Sequence, residues 1–186
     1  AIYELGDNNF STREIAMELG INRGTVLGYL HNEPKGRIMI EENRDNVRFK
    51  YGKTAIPKKI KLTKEFMRLA GYYLAEGNVS FSKSRPNSAV LQFTFNKNEF
   101  EYIKDVINLI KTIFGLEPVL IDNSVNNTMQ VTVFSSILAY VFKDMFGDSS
   151  LNKDLPASFM ELPLEKQREL IRSLFNGDGH LRRRER

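Results

Sequence analysis

Apolar residues recur along the chain with two periods, and the switches between them mark the elements. From Ser11 to Asn32 the spacing is helical in two short stretches. Ile15, Ala16 and Leu19 form one stripe, opened by Ser11 and Glu14 at capping-box spacing, and Val26, Tyr29 and Leu30 form the next. Gly20 between them can take the positive φ that closes a helix, Ile21 tucks into the angle, and Asn22 can cap the second helix. Two such helices predict a helix-turn-helix, in which Asn22, Arg23, Thr25 and, behind them, Tyr29 face a major groove. A plain helical hairpin gives the same pattern. Such a pair cannot bury its own core, and six to nine residues precede it, beginning with alanine, so the chain reads as cut from something longer.

From Thr63 onward the two periods alternate regularly. Thr63 caps a helix whose Phe66, Leu69, Ala70, Tyr73 and Leu74 share one face and which stops at Gly77. Val79 and Phe81, then Leu91, Phe93 and Phe95, alternate with polar residues on either side of a turn at Ser84 to Ser88, which predicts a hairpin. Lys97 to Phe114 is predicted as a helix with Phe100, Ile103, Val106, Ile107, Ile110 and Phe114 inward. A second hairpin joins Val119 to Ile121 with Met129, Val131 and Val133, and Ile137 to Phe146 and Leu164 to Asn176 are again helical. The predicted order is α-β-β-α-β-β-α followed by a new helix, an α+β fold. With the apolar strand residues turned toward the helices, Ser80, Ser82, Gln92, Thr94, Thr128, Gln130 and Thr132 fall on the opposite face, as on any one-sided sheet.

Composition narrows the chemistry. At 186 residues and 41% hydrophobic, the chain can bury the core of one ordinary domain plus a small second one. It holds no cysteine and two histidines, His31 and His180, which excludes disulfides, thiol nucleophiles and cysteine-based metal centres and leaves oxygen ligands for any metal. No apolar run approaches the roughly 20 residues that cross a bilayer, and the expected location is the cytoplasm, at the nucleoid. The net charge of +4 points to an anionic partner. The charge is local: Arg44, Arg48, Lys50, Lys53, Lys58, Lys59, Lys61 and Lys64 stand against Asp45 alone. Val47, Phe49 and Tyr51 alternate with Arg48 and Lys50, a short strand or an extended linker with one cationic edge. If the partner is DNA, Arg48, Lys50, Lys53, Lys58 and Lys59, with Lys83 and Arg85 from the first hairpin turn, supply phosphate contacts. The expected organisation is a helix-turn-helix over 1–33, a basic linker over 34–62, an αββαββα unit over 63–169, and a further helix opening over 170–186.

Two helix endings repeat each other a hundred residues apart. Leu69 to Gly77 and Ile171 to Gly179 align on Glu76 and Asp178, with a small residue five before each acid (Gly71, Ser173), another directly before it (Ala75, Gly177), and glycine directly after. Small residues at i and i+4 form a flat strip that lets two helix backbones pack closely, which brings both carboxylates together. Crowded carboxylates repel unless a cation or a proton neutralises them, and magnesium, with oxygen ligands and retained waters, is the natural occupant; calcium or manganese suits the same site. A pair of acids beside DNA points to metal-assisted phosphodiester hydrolysis.

On these residues the chain resembles the LAGLIDADG homing endonucleases, which also occur within inteins, with Leu69 to Gly77 as one signature and Ile171 to Gly179 as a looser second. The resemblance covers about residues 55 to 180. It implies an αββαββα repeat with a curved antiparallel sheet lying along the major groove, Glu76 and Asp178 as metal ligands, and carbonyl contacts from Gly77 and Gly179. The family's lysine block is matched by Lys153-Asp154-Leu155-Pro156, which implies an active-site role for Lys153. Seven residues follow Gly179, so the second αββαββα unit is expected elsewhere, as a missing C-terminal half or a second copy, and cleavage by this chain stays open. The intein association stays open too, although no cysteine is available as a splicing nucleophile and no splicing block is evident. Two other readings compete: a transcription regulator that kept the fold without cleavage, and an RNA-binding maturase.

Overall fold

A computed structural model of the chain describes residues 10–31, 40–85, 87–123 and 125–178, without the side chains of residues 28–31 and 178. Two compact units, Ala1–Arg37 and Ile38–Arg186, are taken separately. In the first, α1 (Thr12–Leu19) and α2 (Arg23–His31) bury Ile15 and Val26 completely. The capping box is formed: Ser11 Oγ accepts from the Glu14 N–H, and the Glu14 carboxylate accepts from the Ser11 N–H at 2.7 Å. Hydrogen bonds from the Ser11 side chain and backbone hold the Glu14 carboxyl below its ordinary pKa. Gly20 closes α1 at φ 63°, with its N–H on the carbonyls of Ala16 and Met17. The side chains of Tyr29 and Leu30 lie outside the described residues.

The second unit opens with β1 (Ile40–Glu42), β2 (Asn46–Phe49) and β3 (Ala55–Pro57), an antiparallel sheet in that order. This corrects the expected linker over 34–62, of which residues 34–39 lie outside the described residues. The reason is apolar anchoring: Ile56 is 1% exposed, and the Phe49 ring meets Tyr140 edge-on at 5.5 Å. Then follow α3 (Lys64–Glu76), β4 (Gly77–Phe81), β5 (Ala89–Asn96), α4 (Phe100–Phe114), β6 (Val119–Asn123), β7 (Thr128–Val133), α5 (Ser136–Phe146), a 3₁₀ turn over Ala157–Glu161, and α6 (Leu164–Asp178). The architecture is α+β. The larger sheet is antiparallel in the order β4-β5-β7-β6.

Period-two alternation sorts the strand residues as expected, with Val79, Leu91, Phe93, Phe95, Val131 and Val133 buried against the helices. One helix boundary differs. The segment before α4 spends Lys97 and Asn98 on a turn, in which the Asn96 N–H donates to the Glu99 carboxylate at 2.7 Å and the Asn98 N–H to Asn96 Oδ1. Phe100 therefore starts the helix ahead of its apolar stripe and is exposed, while Leu109 is buried. Helix α3 is the centre of the unit. Phe66, Met67, Leu69, Ala70, Gly71, Tyr72 and Tyr73 are all buried, the pattern of a helix covered on more than one side.

Candidate active site

Glycine positions show how closely α3 and α6 approach. A Cβ built on Gly71 would collide with Ser173 Oγ and the Leu170 carbonyl oxygen, both on α6. One built on Gly177 would collide with Ala75 and lie 3.2 Å from Glu76 Cγ and 3.4 Å from Glu76 Oε1. The two small-residue strips therefore meet each other, Gly71 on Ser173 and Ala75 on Gly177. Ser173 is buried, with its hydroxyl donating back to the carbonyls of Glu169 and Leu170 at 2.9 and 3.0 Å, so the contact leaves it satisfied. Both helices end at the same place, and the half-buried Glu76 carboxylate stands beside the residue that precedes Asp178. The backbone of Asp178 closes α6. Its side chain, Gly179 and His180 lie outside the described residues.

Lys153 is brought to this helix end from 79 residues away: its ammonium donates to the Leu74 carbonyl at 2.9 Å and lies 5.3 Å from the centre of the Tyr73 ring. The loop that delivers it is tightly tied. Gly147 sits at φ 86° against the Asn152 backbone, where a side chain would collide, and its carbonyl accepts from the Tyr73 hydroxyl at 2.5 Å. Asn152 Oδ1 accepts from the backbone N–H groups of Asp148 and Ser149, and the Val79 N–H donates to the Asp148 carbonyl. Burial, with Asp148 nearby, raises the Tyr73 hydroxyl pKa, so it remains a neutral donor. Tyr73 and Asn152 are positioning residues that sequence reasoning missed, since nothing local marks a tyrosine as the tether of a distant loop. Gly77 is required for another reason: α3 passes directly into β4, and a Cβ there would strike Tyr73.

Magnesium keeps several waters and needs one or two carboxylates; Glu76 offers one at the end of α3, where two negative helix ends favour positive charge, and the side chain of the acid ending α6 lies outside the described residues. Among the described residues no group of three or more His, Cys, Asp or Glu side chains forms a fuller metal cage.

The outward face of the large sheet carries a side-chain ladder. Asn78 Nδ2 donates to Gln92 Oε1 at 3.3 Å, Gln92 Nε2 to Gln130 Oε1 at 3.1 Å, and Gln130 Nε2 to Thr94 Oγ1 at 3.4 Å. Ser80 and Thr128 share this face, together with Val90, Val119 and Ile121, all paired in register with it. Asn78 was missed, although alternation counted one step back from Ser80 reaches it. Thr132 is corrected. It lies on this face between its register partners Gln92 and Val119, but it is only 1% exposed and its hydroxyl has no hydrogen-bond partner among the described residues. A short side chain in mid-sheet is covered by longer neighbours, so it is unavailable to a ligand. Ser82 Oγ is engaged in its own turn, accepting from the Arg85 N–H, while Lys83 and Arg85 are exposed.

The other predicted cations divide into two groups. Arg48 pairs with Glu41 at 2.8 Å and Lys58 with Glu42 at 2.7 Å, so β1 neutralises two charges that the sequence left open. Lys50, Lys53 and Lys59 are exposed, and no ion pair with them occurs among the described residues. In the small unit, Asn22 Oδ1 accepts from the Gly24 N–H at 2.7 Å, which makes Asn22 the cap of α2. Arg23 Nε donates to Thr12 Oγ1 at 3.1 Å, and Thr25 is exposed.

No protein-family model matches this chain. It is 32% identical over 145 residues to an uncharacterized protein of Methanocaldococcus jannaschii, an alignment covering 76% of this chain and 18% of the relative. It is 34% identical over 129 residues to an iron-sulfur cluster assembly SufBD family protein of Mycobacterium tuberculosis, covering 69% and 15%. It is 32% identical over 133 residues to the DNA polymerase II large subunit of Thermococcus kodakarensis, covering 70% and 7%. The chain spans less than a fifth of the length of each of these relatives.

Proposed function

We propose that this chain carries the DNA-cleaving module of a LAGLIDADG-type homing endonuclease, a divalent-metal-dependent hydrolase of phosphodiester bonds acting on double-stranded DNA. The observation that carries the reading is the contact of α3 with α6, in which Gly71 meets Ser173 and Gly177 meets Ala75, so that the Glu76 carboxylate stands at the residue preceding Asp178. Stability alone gives no reason to end two closely packed helices on acids where two negative helix ends already meet. Glu76 and Asp178 would hold a magnesium ion, which supplies charge neutralisation of a phosphate and acidification of a bound water. Lys153, fixed over Tyr73 and on the Leu74 carbonyl, contributes a second positive charge beside that phosphate. The amide ladder offers fixed donors and acceptors for base edges in the major groove.

The relatives support the same reading from another side. An iron-sulfur cluster assembly protein and a DNA polymerase subunit share no activity by name, yet each contains a stretch similar to this chain that makes up a small part of its length. A segment recurring in unrelated host proteins behaves as a self-contained inserted element, which fits an endonuclease module carried within inteins.

The test begins by selecting duplexes from a random pool with the 186-residue chain and cloning them into supercoiled plasmid. Linearisation or nicking with magnesium, lost in Glu76→Gln and Asp178→Asn with DNA binding retained, is the expected result. Selective binding without cutting, at any divalent metal, would favour the regulator, and stronger competition by structured intron RNA would favour the maturase.

A further inference from the structure

The β2–β3 tip and the β4–β5 turn are separate in sequence but leave the body of the fold at one point. Phe49, at the base of the first, and Phe81, at the base of the second, both meet the Tyr140 ring edge-on, at 5.5 and 5.6 Å. On their other sides, the Thr54 hydroxyl donates to Ser135 Oγ at 2.8 Å and the Ala89 N–H to Ser136 Oγ at 3.1 Å, consecutive residues at the start of α5. Lys50, Tyr51 and Lys53 on one loop and Lys83 and Arg85 on the other, all exposed, thus extend from loops anchored on the same helix.

The first loop is built to hold its tip still. The Gly52 N–H closes a turn on the Phe49 carbonyl at 2.7 Å, and both ends are anchored close to the tip, by Phe49 on one side and Thr54 on the other. At its crest Tyr51 is 82% exposed, with the Lys50 ammonium 5.7 Å from its ring centre. Neither Lys50 nor Lys53 has an acidic partner among the described residues, whereas Arg48 and Lys58, further down the same sheet, are both paired. An exposed aromatic ring flanked by cations that have no acidic partner among the described residues is poorly explained by folding. It contributes nothing to the core.

We propose that this tip is a second DNA contact, outside the sheet face, in which Lys50 and Lys53 bind phosphates of the duplex continuing past the β4–β5 turn and Tyr51 lies in its minor groove. The inference rests on the proposed DNA-binding function. The geometry follows from the duplex itself: half a helical turn, about 17 Å, beyond a stretch read in the major groove, the same side of B-DNA presents its minor groove. Lys83 and Arg85 bridge the two contacts. Tyrosine suits the narrow groove because its ring lies flat against the sugar walls while its hydroxyl reaches the acceptors on the floor.

The test uses the full chain and one duplex obtained from the random pool, with affinity measured from 50 to 300 mM salt. Replacing both Lys50 and Lys53 by alanine is expected to reduce the salt dependence by about two phosphate contacts. Tyr51→Ala is expected to weaken binding by about tenfold with the salt slope unchanged, while Tyr51→Phe, which keeps the ring and loses the hydroxyl, falls between that variant and the parent chain. Hydroxyl-radical footprints should shorten at one end in Tyr51→Ala, and distamycin, a minor-groove ligand, should compete against the parent chain but much less against that variant. Unchanged slope, affinity and footprint in folded variants would overturn the tip contact while leaving the proposed function standing. Failure of the parent chain to bind any duplex would overturn both.

Discussion

Replacing Gly71 by alanine tests the helix contact on which the active-site reading depends. An added Cβ would collide with Ser173 Oγ and the Leu170 carbonyl oxygen and lie 3.0 Å from the Leu174 nitrogen. The serine can turn aside, but the two backbone atoms cannot. Relief therefore requires α3 and α6 to separate by roughly 1 Å, a gap that forfeits a substantial part of each van der Waals contact along the pair. Overpacking of this kind costs about 1–3 kcal/mol, and the backbone clash argues for the upper end. The better helix propensity of alanine returns at most about 1 kcal/mol. The expected net loss is about 2 kcal/mol, or a fall in Tm of about 4–8 °C for a chain of this size, read by circular dichroism. Ser173→Ala, at the same contact but without added volume, is the control and should cost less than about 1 kcal/mol. In Gly71→Ala, cleavage should fall further than stability does, since the carboxylates separate with the helices. An unchanged or raised Tm in Gly71→Ala would refute the close packing and, with it, the delivery of Glu76 to α6.

Four other outcomes are expected. Glu76→Gln should abolish the upward Tm shift expected from magnesium in a thermal scan of the parent chain, and an unchanged shift would count against Glu76 as a metal ligand. Gln130→Glu keeps an acceptor but loses the donor, so duplex selection should move one position from adenine toward cytosine, and selection of the same sequences would count against the ladder as a base reader. Burial raises the hydroxyl pKa of both Tyr72 and Tyr73, so the unfolded chain ionises first and stability should fall as pH climbs past about 10. Tyr73→Phe should flatten that fall, and by freeing Gly147 it should lower cleavage; an identical alkaline profile would argue against the buried hydroxyl. The Glu14 carboxyl has a lowered pKa in the folded state, so its contribution is present at neutral pH and lost as pH falls below the ordinary carboxylate range. Protection of the Ser11 amide, measured against its intrinsic exchange rate, should therefore fall in acid for the parent chain and be low at all pH values in Glu14→Ala.

What could be read without coordinates was what depends on near neighbours. The Ser11 and Glu14 capping box, the turn at Gly20, the alternation along β5, and the small-residue strips of Gly71 with Ala75 and Ser173 with Gly177 are all patterns within one or two turns or one strand, where spacing alone decides which side chains share a face. Hence the larger sheet and its flanking helices were legible, and so was the pairing of α3 with α6. Tertiary structure alone decided matters that join distant segments or divide space among competitors. Residues 40–57 became a sheet because Ile56 and Phe49 found apolar partners across the fold, which a charge count conceals. Thr132 obeyed the alternation and still lost its solvent, because exposure depends on the length of neighbours on other strands. Lys153 reached Leu74 through a loop tied by Tyr73 and Asn152, and Arg48 and Lys58 spent their charges on β1. The physical reason is the same in each case: periodicity specifies direction relative to the local backbone, whereas contact is a property of two backbones and the space between them.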